Sequence, residues 1–96
     1  MNVAATSTDA DTSITLHVRY FAALREALGA SETITLAEPG TLGALRDHLL
    51  QRSELHAQLL ARSRAVRAAV NQVMAEDHTP LVSGAEVAFF PPVTGG

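Results

Sequence analysis

The last six residues of the sequence, PPVTGG, have the composition of an arm that presents one reactive group. Two prolines stiffen its base, because proline fixes φ and lowers the entropy cost of aiming the chain. Gly95 and Gly96 carry no side chain that would block a narrow channel. The only reactive group at the tip is the α-carboxylate of Gly96, which has a pKa of about 3.5 and is a poor electrophile until something activates it. Fully extended, the six residues reach roughly 20 Å, far enough to enter another protein's pocket.

The remaining side chains supply no second reactive centre. The four histidines, at positions 17, 48, 56 and 78, have no partner at metal-ligand spacing, so we predict surface or capping roles and no metal site. Cysteine is absent, which excludes a thiol nucleophile and a persulfide on a side chain. All seven basic residues are arginines, so there is no lysine amine for a Schiff base or for chain-forming conjugation. The sequence therefore indicates no autonomous enzyme.

The overall composition is that of one small domain. With 96 residues, 47% hydrophobic residues and a net charge of -3, the chain has no basic footprint for nucleic acid or for an anionic membrane surface. It contains neither a secretory signal nor an apolar run of membrane-spanning length. We therefore expect a cytoplasmic protein that binds neither nucleic acid nor membrane.

The polar opening of the chain changes to a strand pattern after Ser13. Residues 1–13 are small, polar and aperiodic, so we expect a disordered N-terminal extension. From Ile14 onwards, Ile14, Leu16 and Val18 alternate with polar residues, which is the signature of a half-buried strand.

Apolar residues recur at helical spacing in three later segments. The first helix carries Phe21, Leu24 and Leu28 and ends at Gly29. The main helix begins after the N-cap Thr41 and carries Leu42, Leu45 and Leu49. Ser53 is expected to cap a further short helix that carries Leu55 and Leu59.

The other segments read as strands. We predict strands at Thr33–Leu36, around Val66–Val70, briefly around Val73 and Met74, and at Glu86–Phe90. The last strand must stop at Phe90, because the two prolines that follow have no N–H to donate. The predicted fold class is α+β, a mixed sheet of four or five strands on one main helix, with residues 14–90 as the domain and 91–96 as its tail. The order of elements also fits a ferredoxin-like sandwich.

Several segments together resemble one family. The ending SGAEVAFFPPVTGG, with VRYFAALREALG, TLGALRDHL and AAVNQ, closely resembles the small subunit of molybdopterin synthase, the MoaD family, over about Ile14 to Gly96. The resemblance implies the β-grasp fold of ubiquitin and a function in sulfur carriage. The aromatic pair followed by two prolines is more specific than the Gly-Gly end, which ubiquitin and its relatives share.

The same resemblance implies the partners and the chemistry. An E1-like adenylating enzyme would use ATP to convert the Gly96 carboxylate to an acyl-adenylate, and a sulfur donor protein would turn that into a thiocarboxylate. The large synthase subunit, expected in a heterotetramer, would then place the sulfur on cyclic pyranopterin monophosphate. The domain itself is expected to bind no cofactor. The residues assigned to the working tail are Pro91, Pro92, Val93, Thr94, Gly95 and Gly96.

Strand alternation predicts a partner surface beside this tail. If Val87 and Phe89 enter the core, Phe90 faces outward, where an exposed aromatic ring is costly unless a partner covers it. Met74 is a natural companion, because its unbranched side chain adapts to different surfaces. From the family resemblance, Arg25 adds a charged contact at the rim.

Two other functions remain open from the sequence. One is a sulfur carrier for thiamine or cysteine synthesis, which shares the fold and the Gly-Gly end but typically lacks FFPP. The other is a ubiquitin-like protein modifier, for which the missing lysines argue against chain building but not against single attachment.

Overall fold

The computed structural model describes residues 13–37, 40–61 and 64–91. Residues 1–12, 38–39, 62–63 and 92–96 lie outside these ranges. The elements in chain order are β1 (Ser13–Tyr20), α1 (Ala22–Leu28), β2 (Ser31–Ala37), β3 (Gly40–Thr41), α2 (Leu42–Leu50), α3 (Glu54–Leu60), β4 (Arg67–Val70), β5 (Val73–Ala75), β6 (Pro80–Leu81) and β7 (Glu86–Phe90).

Five strands form one mixed sheet in the order β2-β1-β7-β4-β5. The first and last strands, β1 and β7, lie side by side in parallel, whereas β1–β2, β7–β4 and β4–β5 are antiparallel. The short strands β3 and β6 pair separately. The predicted α+β class with a mixed sheet is confirmed, and the sheet reaches the upper end of the expected four or five strands.

One face of the sheet packs on the helices. In β1 the side chains of Ile14, Leu16 and Val18 are buried and those between them are exposed, as the alternation predicts. The stripe of α2, formed by Leu42, Leu45 and Leu49, is buried against this face. Val87 and Phe89 of β7 complete the contact and are fully buried. The core therefore lies between the sheet and α2.

Both predicted N-caps are present. The Thr41 hydroxyl accepts a hydrogen bond from the Ala44 N–H at 3.1 Å, and the Ser53 hydroxyl accepts one from the His56 N–H at 3.1 Å. The short helix expected after Ser53 is present and carries Leu55 and Leu59; Leu55 is 43% exposed, whereas Leu59 packs partly buried against the core. Leu60, the last residue of the helix, is fully buried.

In the ranges that the structure describes, no helix has both the length and the apolar character needed to cross a membrane.

Candidate functional site

The base of the tail is held firmly by the sheet. β7 lies between β1 and β4, with Phe89 aligned to Tyr20 on one side and Phe90 aligned to Arg67 on the other. The Phe21 N–H also donates to the Phe89 carbonyl at 3.1 Å. Because β7 is paired as far as Phe89 on the β1 side and as far as Phe90 on the β4 side, the chain leaves the sheet at a fixed point. Pro91, the next residue, is partly buried.

The predicted tail residues from Pro92 to Gly96 lie outside the described residues. Their assigned chemistry therefore stays a prediction. The structure bears on where the tail starts and on which side chains surround that point.

The two phenylalanines before the prolines occupy opposite faces of the sheet. Phe89 is fully buried, whereas Phe90 is only partly buried on the other face. This is the placement that strand alternation predicts. Contact of Phe90 with a partner remains a prediction.

Met74 lies on the same face as Phe90. Ala69 of β4 is aligned with Ala88 of β7 on one side and with Met74 of β5 on the other. Since Ala88 and Phe90 share a face, Phe90, Ala88, Ala69 and Met74 all belong to one surface, which we call the outer row. Met74 is 51% exposed. Because β5 is two strands away from β7, Met74 lies about 10 Å from β7. One partner protein could therefore contact Met74 and Phe90 together.

Arg25 lies on α1, and its residue is exposed. Helix α1 packs against β7 and thus lies close to the base of the tail. The structure therefore brings the helix that carries Arg25 to the same end of the molecule as Phe90. Its charged contact with a partner stays a prediction.

Phe21 is a further exposed aromatic residue at this end, and the helical pattern misplaced it. It is the N-cap of α1 rather than part of the helix, and it is 38% exposed. The guanidinium of Arg19 lies over its ring at 5.4 Å and also pairs with Glu86 at 3.1 Å. Strand alternation was the signal that could have found it, because Phe21 continues the outward series of His17 and Arg19.

A polar cluster surrounds Glu32 of β2, at the edge of the core, and no pattern in the sequence predicted it. The Tyr20 hydroxyl donates to Glu32 Oε2 at 2.6 Å, and His56 Nε2 lies 3.0 Å from the same oxygen. Arg52 Nε contacts Glu32 Oε1 at 3.0 Å, and Ser53 Oγ lies 2.8 Å from His56 Nδ1. These contacts join β1, β2 and the start of α3.

The cluster shifts two protonation equilibria. Burial, followed by the hydrogen bond to Glu32, raises the pKa of Tyr20 far above its usual value. Burial also raises the pKa of the Glu32 carboxyl, but hydrogen bonds with Tyr20 and His56 and the charge of Arg52 outweigh it and lower the pKa overall. The cluster is therefore a neutral tyrosine donating to an ionised glutamate, which is a structural arrangement rather than a nucleophilic one.

A surface groove of about 370 Å³ lies between the β4–β5 hairpin and the start of α2. Its lining includes Arg67 and Met74, the second of which also belongs to the outer row. Arg46, at the base of the groove, is buried and donates to the carbonyls of Leu60 and Ala61 at 2.7 and 3.1 Å. That arginine stabilises the end of α3. In the part of the chain that the structure describes, no three metal-ligating side chains gather into a cluster.

Comparison with solved structures defines the class of the domain. A ubiquitin from Caldiarchaeum subterraneum matches 88% of this chain and 99% of its own with a TM-score of 0.56, at 13% identity. Together with the parallel pairing of the first and last strands, this defines a ubiquitin-like β-grasp domain. The β-grasp prediction is confirmed.

Comparison of sequences defines the family. Residues 18–96 match the ThiS family model. The molybdopterin synthase sulfur carrier subunit of Escherichia coli is 43% identical over 81 residues, which is 84% of this chain and 99% of that protein. The chain belongs to the ThiS family, and the resemblance to molybdopterin synthase small subunits is confirmed.

One solved relative includes a second subunit. A protein-protein complex of subunits 1 and 2 of the molybdopterin-converting factor from Helicobacter pylori matches with a TM-score of 0.59 and 26% identity. The match covers 86% of this chain and 100% of that one.

Proposed function

We propose that this chain is the sulfur carrier subunit of a molybdopterin synthase. The observation that carries the proposal is the 43% identity to the Escherichia coli sulfur carrier subunit across 99% of that protein. The family match extends through Gly96, so the Gly-Gly end belongs to the matched region. The FFPP run favours this carrier over one for thiamine or cysteine synthesis.

The proposed chemistry takes place at Gly96. Its carboxylate attacks the α-phosphorus of ATP in a partner E1-like adenylating enzyme, and pyrophosphate leaves. A sulfur donor protein then supplies the sulfur that displaces AMP, which leaves a thiocarboxylate. Adenylation is needed because a carboxylate expels no good leaving group by itself, and the resulting thiocarboxylate is a soft, anionic nucleophile. The large synthase subunit would use it to sulfurate cyclic pyranopterin monophosphate.

This chemistry takes the tail into the active sites of other proteins. In our proposal Pro91 and Pro92 stiffen its base, Val93 and Thr94 extend it, and Gly95 and Gly96 pass through a narrow channel. The carrier itself holds no cofactor, and ATP binds to the adenylating enzyme. We further propose that it works in the cytoplasm.

The proposed docking surface for the large subunit is the outer row with its surroundings. Phe90 and Met74 supply the apolar centre, and Arg25 supplies a charged rim contact. The exposure of Met74 and the partial exposure of Phe90 beside a fixed tail base support this assignment. The Helicobacter pylori complex of subunits 1 and 2 supports a two-protein assembly, which we expect to be a heterotetramer.

Intact-mass spectrometry tests the proposal. The chain is incubated with ATP, the cognate adenylating enzyme and a sulfur source. We expect a mass increase equal to replacement of one oxygen by sulfur, located on the C-terminal peptide. The modified chain, mixed with the large subunit and the pterin precursor, should then support molybdopterin formation.

The matched control is a chain that lacks Gly96 alone. It should fold normally, gain no sulfur and support no molybdopterin formation. Molybdopterin formation by the shortened chain would refute the proposal. Sulfur on the tail without transfer to the pterin would favour another sulfur pathway, and attachment of the whole chain to a target lysine would favour a protein modifier.

A further inference from the structure

β2 is an edge strand of the five-stranded sheet. Among the described residues it pairs only with β1, and its other side faces no strand. It is seven residues long, whereas β5 at the opposite edge has three. A long open edge presents unpaired N–H and C=O groups and is a template for another strand.

The register shows which residues offer those groups. The Tyr20 N–H donates to the Ala30 carbonyl at 3.0 Å, which makes these two residues a hydrogen-bonded antiparallel pair. Hydrogen-bonded pairs alternate along the ladder, so Glu32, Ile34 and Leu36 direct their backbone groups at β1. The residues between them direct theirs outward: Ser31, Thr33, Thr35 and Ala37.

These four residues are also uncharged and exposed. Their side chains lie on the same face of the sheet as those of His17 and Arg19, away from the core. The strand contains no lysine and no proline, the two residues with which natural proteins most directly block an open edge. The single charged residue, Glu32, is turned inward and engaged by Tyr20 and Arg52.

We propose that β2 pairs antiparallel with β2 of a second copy of this chain. The pairing that uses all four outward residues places Thr33 opposite Thr35 of the second copy and Ser31 opposite its Ala37. Each such pair exchanges two hydrogen bonds. Threonine pairs directly across strands are favourable.

Charge favours a second copy as the occupant. In this register Glu32 lies opposite Leu36 of the second copy, so the two carboxylates do not face each other. The four outward residues of β2 are uncharged, so they favour neither an acidic nor a basic peptide. Two copies of the strand can pair through them without charge repulsion. The dimer also leaves the tail free to reach a partner. β1 lies between β2 and β7, so the dimer edge is about 10 Å from the strand that carries the tail.

Amide hydrogen exchange followed by NMR tests the pairing on the full chain. At protein concentrations on the order of 1 mM, the amides of Thr33 and Thr35 should exchange at least several-fold more slowly than in dilute solution. The amides of Ile34 and Leu36, bonded to β1, should be protected equally at both concentrations. Exchange of the outward amides that does not depend on concentration would overturn the proposal.

A charge swap tests the register. Thr33→Lys/Thr35→Lys places lysine opposite lysine in the dimer, whereas Thr33→Lys/Thr35→Glu places lysine opposite glutamate. Circular dichroism first establishes that both variants are folded. In sedimentation equilibrium the lysine pair should remain near the monomer mass of 10.1 kDa, and the lysine–glutamate variant should approach twice that value. Equal behaviour of the two variants, or protection of these amides only by the large subunit, would refute self-pairing.

Discussion

The ring of Tyr20 lies against the ring of Phe89, with centroids 6.2 Å apart and planes inclined by 24°. The two residues are also aligned across the parallel pair β1–β7. Because the Tyr20 hydroxyl reaches Glu32, this contact joins the polar cluster to the strand that carries the tail. The position of the tail base therefore depends on groups that are far from it in sequence.

Tyr20→Phe should lower the free energy of unfolding by about 1–2 kcal/mol. The variant keeps the stacked ring and removes only the hydrogen bond to a charged acceptor. The measurement is urea unfolding. Tyr20→Leu is the matched variant, because it removes both the hydroxyl and the aromatic stacking and should cost more. A midpoint for Tyr20→Phe equal to that of the parent would show that the hydroxyl contributes nothing.

The ionisation of Tyr20 can be followed directly. It is the single tyrosine of a chain without tryptophan, so the phenolate absorbance reports one residue. Its pKa is raised in the folded state, so the stabilisation is complete below the ordinary tyrosine pKa of 10.0 and decreases at higher pH. We expect no phenolate in the folded protein at pH 10, and its appearance only together with unfolding. Ordinary titration at pH 10 in a protein that remains folded would contradict this expectation.

Glu32 should make the protein sensitive to acid. Its pKa is lowered in the folded state, so its stabilisation is present above the ordinary glutamate pKa of 4.5 and is lost as pH falls through the lowered pKa. Glu32→Gln should be less stable than the parent at neutral pH, and the difference should shrink below pH 4.5. Thermal unfolding across this range is the measurement. Glu76→Gln, at a side chain that is 82% exposed, is the control and should change the melting temperature little at neutral pH.

The sequence predicts the features that depend on local pattern. The alternation of β1, the caps Thr41 and Ser53, and the limits of β7 are all observed, because each is set by neighbouring residues. The ladder between β3 and β6 was missed, because two residues show no periodicity and the strands meet only after folding.

The candidate site likewise contains features that local sequence pattern predicts and one that it does not. The opposite placement of Phe89 and Phe90 follows from strand alternation. Met74 is predicted as a partner contact for its adaptable side chain, and the face that it shares with Phe90 is set by the pairing of β5 with β4 and of β4 with β7. The polar cluster follows from no local pattern, because Glu32 lies 12 residues from Tyr20 and 24 from His56. No spacing rule connects such residues before the sheet and α3 are assembled.

The β4–β5 turn contains strained backbone that a substitution should relieve. Asn71 and Gln72 have φ values of 49° and 72°, in the left-handed region that favours glycine. Gln72→Gly should raise the free energy of unfolding by about 0.5 kcal/mol, since relief of strain exceeds the added entropy of the unfolded chain. Gln51→Gly is the matched control, because Gln51 has φ of -97° and should only lose stability. Destabilisation by both would show that Gln72 is not strained.

Phe89→Ala and Phe90→Ala should separate folding from partner binding at adjacent positions. Phe89 is fully buried, so its truncation should cost about 3–5 kcal/mol of unfolding free energy through lost burial and a cavity. Phe90 is partly exposed on the outer row beside Met74, so its truncation should cost less stability and should weaken binding to the proposed large subunit by about 2 kcal/mol. Calorimetric titration and thermal unfolding of both variants, under conditions in which each is folded, provide the comparison. Unchanged affinity of Phe90→Ala together with a large fall in its melting temperature would place Phe90 energetically in the core and remove the centre of the docking surface.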